Sequence, residues 1–205
     1  MIIGLCGGSG SGKGTVSSIL NNYDIPAIDT DLVYHNLTSY MSDCLIEIRD
    51  AFGENVISNG ALNRKELSHI VFSDESGDKR NLLNLIAHKH ILASVRDRIS
   101  ALVNEGYEHV IVDAPVLFES GFDKECDLVI GVIANREVRI SRIMARDGID
   151  YVSAKRRIDS QLSDEELRKR CDYVITNDRG IDELKVAVSK IYDELIGGKN
   201  GKDNW

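Results

Sequence analysis

The run Gly7-Gly8-Ser9-Gly10-Ser11-Gly12-Lys13-Gly14-Thr15 directly follows the apolar segment Ile2-Ile3-Gly4-Leu5-Cys6, and no other stretch limits the fold so tightly. Gly7, Gly12 and Lys13 have the G-x-x-x-x-G-K spacing of a phosphate-binding P-loop. The glycines let the backbone turn sharply, so that successive N–H groups of residues 8–15 face one phosphate chain. Thr15-Val-Ser-Ser-Ile-Leu20 reads as the helix that follows, offering its free N–H groups and positive dipole end. Lys13 adds a mobile point charge. One position departs from the pattern: Gly14 stands where a Ser or Thr would hold Mg²⁺, and Thr15 comes one residue late. The run predicts a nucleoside triphosphate site.

A chain of 205 residues suits a single domain and can bury a full core without covalent staples. Cys6, Cys44, Cys126 and Cys171 are widely spaced with no C-x-x-C pair, which argues against structural zinc and for free thiols in a reducing cytoplasm. The N-terminus lacks the regions of a signal peptide, and no run approaches the ~20 apolar residues of a membrane span. A net charge of −8 argues against general nucleic-acid binding.

Short apolar runs alternate with longer helical patterns, as in a parallel α/β sheet. Strands are expected at Ile2–Cys6, Ile25–Ile28, His109–Asp113, Leu128–Ile133 and Tyr173–Thr176. Helices are expected at about 14–21, 31–38, 42–51, 64–72, 79–104, 136–146, 151–161, 164–170 and 181–196. The longest carries Leu85, Leu92, Val95, Ile99 and Leu102 at helical spacing. Roughly 80 residues between the second and third strands carry no strand signal, far more than a simple crossover needs. They read as a helical insertion over a substrate site. Residues 197–205, polar and glycine-rich, read as a frayed tail.

Ligands of an open parallel sheet sit beyond the carboxyl ends of its strands. Asp29-Thr30-Asp31 follows the second strand, where a carboxylate could hold a metal–phosphate complex or take a proton from an attacking hydroxyl; helix capping is the competing use. The third strand closes on Asp113, the place for an acidic residue that orients Mg²⁺ through water. Glu119, a little further on, is a site residue or a cap. Arg139, Arg142 and Arg146 share one helix face, and Arg157 and Gln161 form a similar pair on the next helix. Such a face is a solvated surface or a lid that neutralises charge on a moving phosphate. His88, between Leu85 and Leu92, reads first as a packed histidine.

In order and spacing these segments resemble the dephospho-CoA kinase family from the P-loop to about Gly180. The family's D-x-D is Asp29-Thr-Asp31, and its F-G…G-x-L-x-R-x-x-L…V-F block is Phe52-Gly53…Gly60-Ala-Leu62-Asn-Arg64-Lys-Glu-Leu67…Val71-Phe72. Its L-N-x-L-x-H element is Leu83-Asn84-Leu-Ile-Ala-His88, slipped by one, and V-D-x-P-L-L-F-E is Val112-Asp113-Ala-Pro115-Val-Leu117-Phe118-Glu119. The R-x-x-x-R-D lid is Arg142–Asp147, R-I-x-x-Q is Arg157–Gln161, and A-D-x-V-I-x-N is Cys171-Asp172-Tyr-Val-Ile-Thr-Asn177. Two departures stand out. Gly14 replaces the usual Ser, as in adenylate and cytidylate kinases, and Lys89 replaces the proline after His88, so the long helix is expected to run straight.

The resemblance implies an α/β P-loop NTPase fold: a five-stranded parallel sheet flanked by helices, with a helical substrate-binding insertion and a helical lid. Within one kinase domain, 1–196, the core would be 1–30, 106–135 and 171–196, the insertion about 31–105 and the lid about 136–170. It further implies transfer of the ATP γ-phosphate to the ribose 3′-hydroxyl of dephospho-CoA, with Mg²⁺ as cofactor. Lys13, Asp31, Arg142 and Arg146 would be catalytic, Asp31 as the base. Gly8, Ser9, Gly10, Ser11, Gly12, Lys13, Gly14, Thr15, Arg142 and Asn177 would bind ATP. Asp31, Arg64, His88, Pro115, Leu117, Phe118, Glu119, Arg157 and Gln161 would face the acceptor, and Asp31 and Asp113 would hold the metal through water. A cytoplasmic monomer acting on small molecules is the expectation. The rival readings are a nucleoside monophosphate kinase, suggested by Gly14-Thr15, and an ATP-binding regulatory protein. A GTPase is disfavoured, since Thr176-Asn177-Asp178-Arg179 does not match N-K-x-D.

Overall fold

A computed structural model of the protein describes residues 1–197, with side chains as far as residue 195. The first apolar run forms β1 (Ile2–Gly7), buried from Ile3 onward, and Lys13 opens α1 (Lys13–Asn21). β2 (Ala27–Asp29) leads into a helical stretch, and the chain returns through β5 (Val110–Asp113), β6 (Leu128–Ile133) and β7 (Tyr173–Thr176). The sheet order is β2-β5-β1-β6-β7, so β1 is central, paired in parallel with β5 and β6. All of β5 and β6 is buried, which explains the apolar runs 110–112 and Leu128–Ile133: helices cover both faces of such a sheet. Ile3, Leu5, Ile130 and Val132 pack with Val16, Ile19 and Leu20 of α1 and with Leu184 and Val188 of α9 (Ile181–Tyr192). That core fixes the loop after β1 at the carboxyl end of the central strand.

Two compact units divide the chain. One comprises Met1–Ala27 and the chain from Glu105 onward; the other is Ile28–Asn104. The first also contains α6 (Arg136–Asp147), α7 (Tyr151–Asp159) and α8 (Asp164–Arg170). Ile140 and Ile143 of α6 pack on Ala154 and Ile158 of α7. The second is built from α2 (Thr30–Leu37), α3 (Asp43–Phe52), α4 (Arg64–Phe72) and α5 (Asp78–Asn104) around Cys44, Ile48, Val56, Leu67, Val71 and Ile86.

Four expectations need correction. The insertion does contain strands: β3 (Ile57–Ser58) and β4 (Ala61–Leu62) pair antiparallel across Asn59-Gly60. Both turn residues have positive φ, 52° and 76°, the backbone that an Asn-Gly hairpin turn demands. The second sheet strand begins at Ala27, not Ile25, because Pro26 has no N–H for a ladder. Along α5 the stripe is not one face: Val95 and Ile99 are buried, whereas Leu85 is 69% exposed and Ile86 and Ala87 are buried instead. At about 100° per residue Ile86 and Val95 lie on opposite sides of the helix, because α5 packs against α2, α3 and α4. Finally, α7 stops at Asp159, so Gln161 is not on a helix. α5 itself is unbroken through Lys89, whose ammonium and the His90 ring share Glu47 Oε2, each at 2.7 Å. α9 ends in a single π turn at Asp193–Gly197, and the expected tail beyond Gly197 lies outside the described residues.

Candidate active site

The turn from β1 into α1 is a cradle of main-chain groups. Gly12 caps α1 at φ 92°, a left-handed backbone that favours glycine, and a Cβ there would collide with Asn177 Nδ2. Asn177, just past β7 and buried, donates from Nδ2 to Ser11 O at 2.8 Å. Ser11 is itself fully buried, and its hydroxyl has no hydrogen-bond partner among the described residues. Lys13 is ion-paired with Asp113 at the end of β5, a carboxylate that is largely buried. Gly14 faces open space: a Cβ built there meets nothing within 4 Å.

A second layer grips this turn from outside. Arg139 of α6, 3% exposed, donates from Nε to Ser9 O at 2.9 Å, from Nη1 to Asp164 Oδ1 at 3.1 Å and from Nη2 to Gln161 Oε1 at 3.2 Å. Gln161 completes the grip, its Oε1 accepting from Ser9 N at 2.9 Å and its Nε2 meeting Ser9 Oγ at 3.2 Å. Burial pushes the Arg139 pKa down from its ordinary value, opposed by Asp164. Each hydrogen bond to a charged group is worth about 1.5–3 kcal/mol, so the clamp fixes the loop's shape before any ligand arrives. One turn on, Arg142 Nη1 donates to Gly10 O at 3.2 Å.

Thus the three arginines that share a helix face have different fates. Arg139 and Arg142 touch the loop, whereas Arg146 bonds Asp147 Oδ1 and Oδ2 at 2.7 and 2.9 Å and Arg157 bonds the same carboxylate. Arg146, with Arg157 beside it, holds Asp147 well below the usual carboxylate range, at a pKa of about 2. Arg157 and Gln161 thus hold different partners, Asp147 and Ser9. Arg139 was visible in the sequence only as one of three face residues; no signal marked it as buried.

Beyond β5, Leu117 is fully buried, its methyl 2.8 Å from where a Cβ on Gly4 would stand, so it is a packing residue. Pro115 is half-buried, Glu119 is exposed, and the Phe118 ring lies 5.4 Å from the Arg170 guanidinium.

In the second unit, Asp29 is spent as a cap. Its Oδ1 accepts from Asp31 N at 2.8 Å and Leu32 N at 3.1 Å, opening α2 and leaving the exposed Asp31 carboxylate on the first turn. Arg64, opening α4, bonds His35 Nδ1 at 3.1 Å, lies 5.8 Å from the Tyr34 ring centre, and borders a cleft of about 290 Å³ lined by Leu67, Phe72, Leu83 and Asn84. His88 is half-buried on α5.

Among the described residues no three His, Cys, Asp or Glu side chains converge into a metal cage. At the end of β5 the Asp113 carboxylate is a hard oxygen donor of the kind that meets a divalent cation through water. No helix among the described residues is long and apolar enough to cross a membrane.

The sequence model of a family described as dephospho-CoA kinase matches residues 1–183. A dephospho-CoA kinase of Syntrophotalea carbinolica is 35% identical over 204 residues, covering 99% of this chain and 96% of its own. Of solved structures, TT1252 from Thermus thermophilus superposes with a TM-score of 0.81 at 29% identity, covering 96% of this chain and 98% of its own. Dephospho-CoA kinase from Campylobacter jejuni superposes at 0.71 with 26% identity, covering 97% and 98%.

Proposed function

The chain belongs to the dephospho-CoA kinase family and is an ATP-dependent kinase; from that premise we propose that its residues transfer the ATP γ-phosphate to the ribose 3′-hydroxyl of dephospho-CoA. The observation that carries this reading is the span of the family match: residues 1–183 include both the phosphate loop and the whole 28–104 unit, so it is more than a shared nucleotide fold.

The backbone N–H groups of Gly8–Thr15 hold the phosphate chain, and Lys13 exchanges Asp113 for the β- and γ-phosphates when ATP enters. Arg142, already at Gly10, meets charge that spreads over the moving phosphoryl group. Arg146 and Arg157 are tethered to Asp147 and exposed, so they can swing in as a lid closes. Asp31 takes the proton of the attacking hydroxyl as the P–O bond forms, ADP leaving from the opposite side. Asp29 is left to its cap. Arg64 and His88 read the acceptor in the insertion, with Pro115, Phe118 and Glu119 along the segment after β5. Bound with ATP, Mg²⁺ would neutralise phosphate charge, with Asp31 and Asp113 as its partners through water. We place the reaction in the cytoplasm, catalysed by a monomer.

Of the rivals, a nucleoside monophosphate kinase had only Gly14-Thr15 in its favour. An ADP-release assay with dephospho-CoA, CMP, AMP and no acceptor tests the choice. Turnover is expected with dephospho-CoA alone; turnover of CMP or AMP without dephospho-CoA would overturn the reading, and no acceptor-dependent ADP would point to a regulator.

A further inference from the structure

Cys6 lies in the buried part of β1, next to Gly7 where the phosphate loop begins, and is 1% exposed. Cys171 caps the C-terminus of α8 ahead of β7 and is partly exposed. β6 separates β1 from β7 in the sheet, yet the two sulfurs lie 3.6 Å apart. They meet because the residue of β6 paired with Cys6 is Gly131: a Cβ there would stand 2.7 Å from Cys171 Sγ. An isolated glycine in the run Leu128-Val-Ile-Gly-Val-Ile133 has no turn to make, and this close approach accounts for it.

We propose that Cys6 and Cys171 form a thiol–disulfide exchange site, closed by small-molecule disulfides into an intramolecular bridge that reversibly shuts the phosphate loop. The partly exposed Cys171 thiolate attacks one sulfur of a small disulfide RSSR, forming Cys171–S–S–R and expelling RS⁻. Cys6 then gives up its proton and attacks Cys171 Sγ, forming the Cys6–Cys171 bond and expelling the second RS⁻. Both electrons leave with RSSR, which becomes two RSH. The shared hydrogen bond sets the order of events: it lowers the Cys171 pKa and raises that of Cys6, with burial adding to the rise. Once Cys171 is in the mixed disulfide, Cys6 loses the neighbour that held its proton. The other thiols are poorer candidates. Burial pushes Cys44 up to about 11 and Cys126 up to about 12.

A disulfide requires about 2.05 Å between sulfurs, so the pair must close by more than an ångström. Cys6 is bonded to a loop without slack: a Cβ on Gly7 would lie 2.5 Å from Val132 O. Pulling Cys6 therefore disturbs Gly7 and Gly8, and ATP binding falls.

The test incubates the full chain with oxidised glutathione, then maps disulfides in non-reduced peptides and measures ADP release before and after dithiothreitol. Expected are a Cys6–Cys171 cross-linked peptide and a fall in activity of about tenfold or more, restored by reductant. The Cys171→Ala variant should keep basal activity and resist the oxidant. The proposal is overturned if both thiols remain open to alkylation after oxidation, if the bridge forms without loss of activity, or if Cys171→Ala is inactivated like the parent. The peptide map reads no kinase activity, so it separates this proposal from the choice of substrate.

Discussion

The two compact units hold their polar groups in opposite ways. Around the phosphate loop most groups are gripped, with open space left at Gly14: Asn177 fills the space beside Gly12, Arg139 and Gln161 grip Ser9, and Lys13 is paired with Asp113. In the 28–104 unit the turn glycine Gly60 has nothing within 4 Å of where a Cβ would go, Arg64 borders an open cleft, and Phe72 is 73% exposed. Phosphate is the same chemistry whatever the acceptor, so its site can be fixed in advance. On the proposed reading an acceptor must enter and be read in the 28–104 unit, and accessible surface there suits that task. If this contrast is functional, damage to the first unit should weaken ATP binding, and damage to the second should leave ATP binding intact.

The largest expected effect comes from Lys13→Ala. Its ammonium serves ground and transition states alike, so ATP affinity and turnover should fall together, kcat/KM by about 10²–10³-fold. Steady-state kinetics check this; near-normal turnover would break the assignment of the first unit.

A single substitution type compares the units directly. Gly12→Ala meets both the Asn177 amide and a forbidding φ, and should lower Tm and weaken ATP binding. Gly60→Ala meets only the φ of an open turn, costing about 1–2 kcal/mol with catalysis intact. Thermal melts with and without ATP separate the two; equal losses of ATP binding would erase the contrast.

Arg64→Ala sharpens it from the other side. Loss of one charged hydrogen bond to the acceptor, about 1.5–3 kcal/mol, should raise KM for dephospho-CoA about 10–100-fold and leave KM for ATP unchanged. A matching rise in the ATP KM would show that Arg64 does not read the acceptor.

The smallest effect is expected at Gly14. Open space around it admits a side chain, so Gly14→Ser should fold normally and lower the Mg²⁺ concentration at half-maximal activity by a few-fold. An unchanged Mg²⁺ titration would mean that position 14 does not limit metal use.

The same contrast explains what could be read from sequence. Leu128–Ile133 and the P-loop were legible because a buried parallel strand needs an unbroken apolar run and a phosphate turn needs glycines at fixed spacing. Asn59-Gly60 carried a hairpin signal too, but two-residue strands leave no alternation to see. Arg139 was illegible for a different reason. An arginine on a helix face reads as solvated, and only the approach of Ser9, Gln161 and Asp164 turns it into a buried clamp. The α5 stripe misled because a helix packed by three neighbours buries different faces along its length, which periodicity alone does not encode. The capping use of Asp29 was open in the sequence, and two main-chain hydrogen bonds to its Oδ1 support it.

The most direct test lies here, since two carboxylates separated by one residue do different work: Asp29 caps α2, and Asp31 is the proposed base. Steady-state kinetics and thermal melts of Asp31→Asn and Asp29→Asn measure both. Asp31→Asn keeps the shape and removes the base, so kcat should fall about 10²-fold or more with ATP affinity and Tm little changed. Asp29→Asn should keep most of its turnover, since asparagine also caps helices. A dead Asp29→Asn beside a normally active Asp31→Asn would contradict the account.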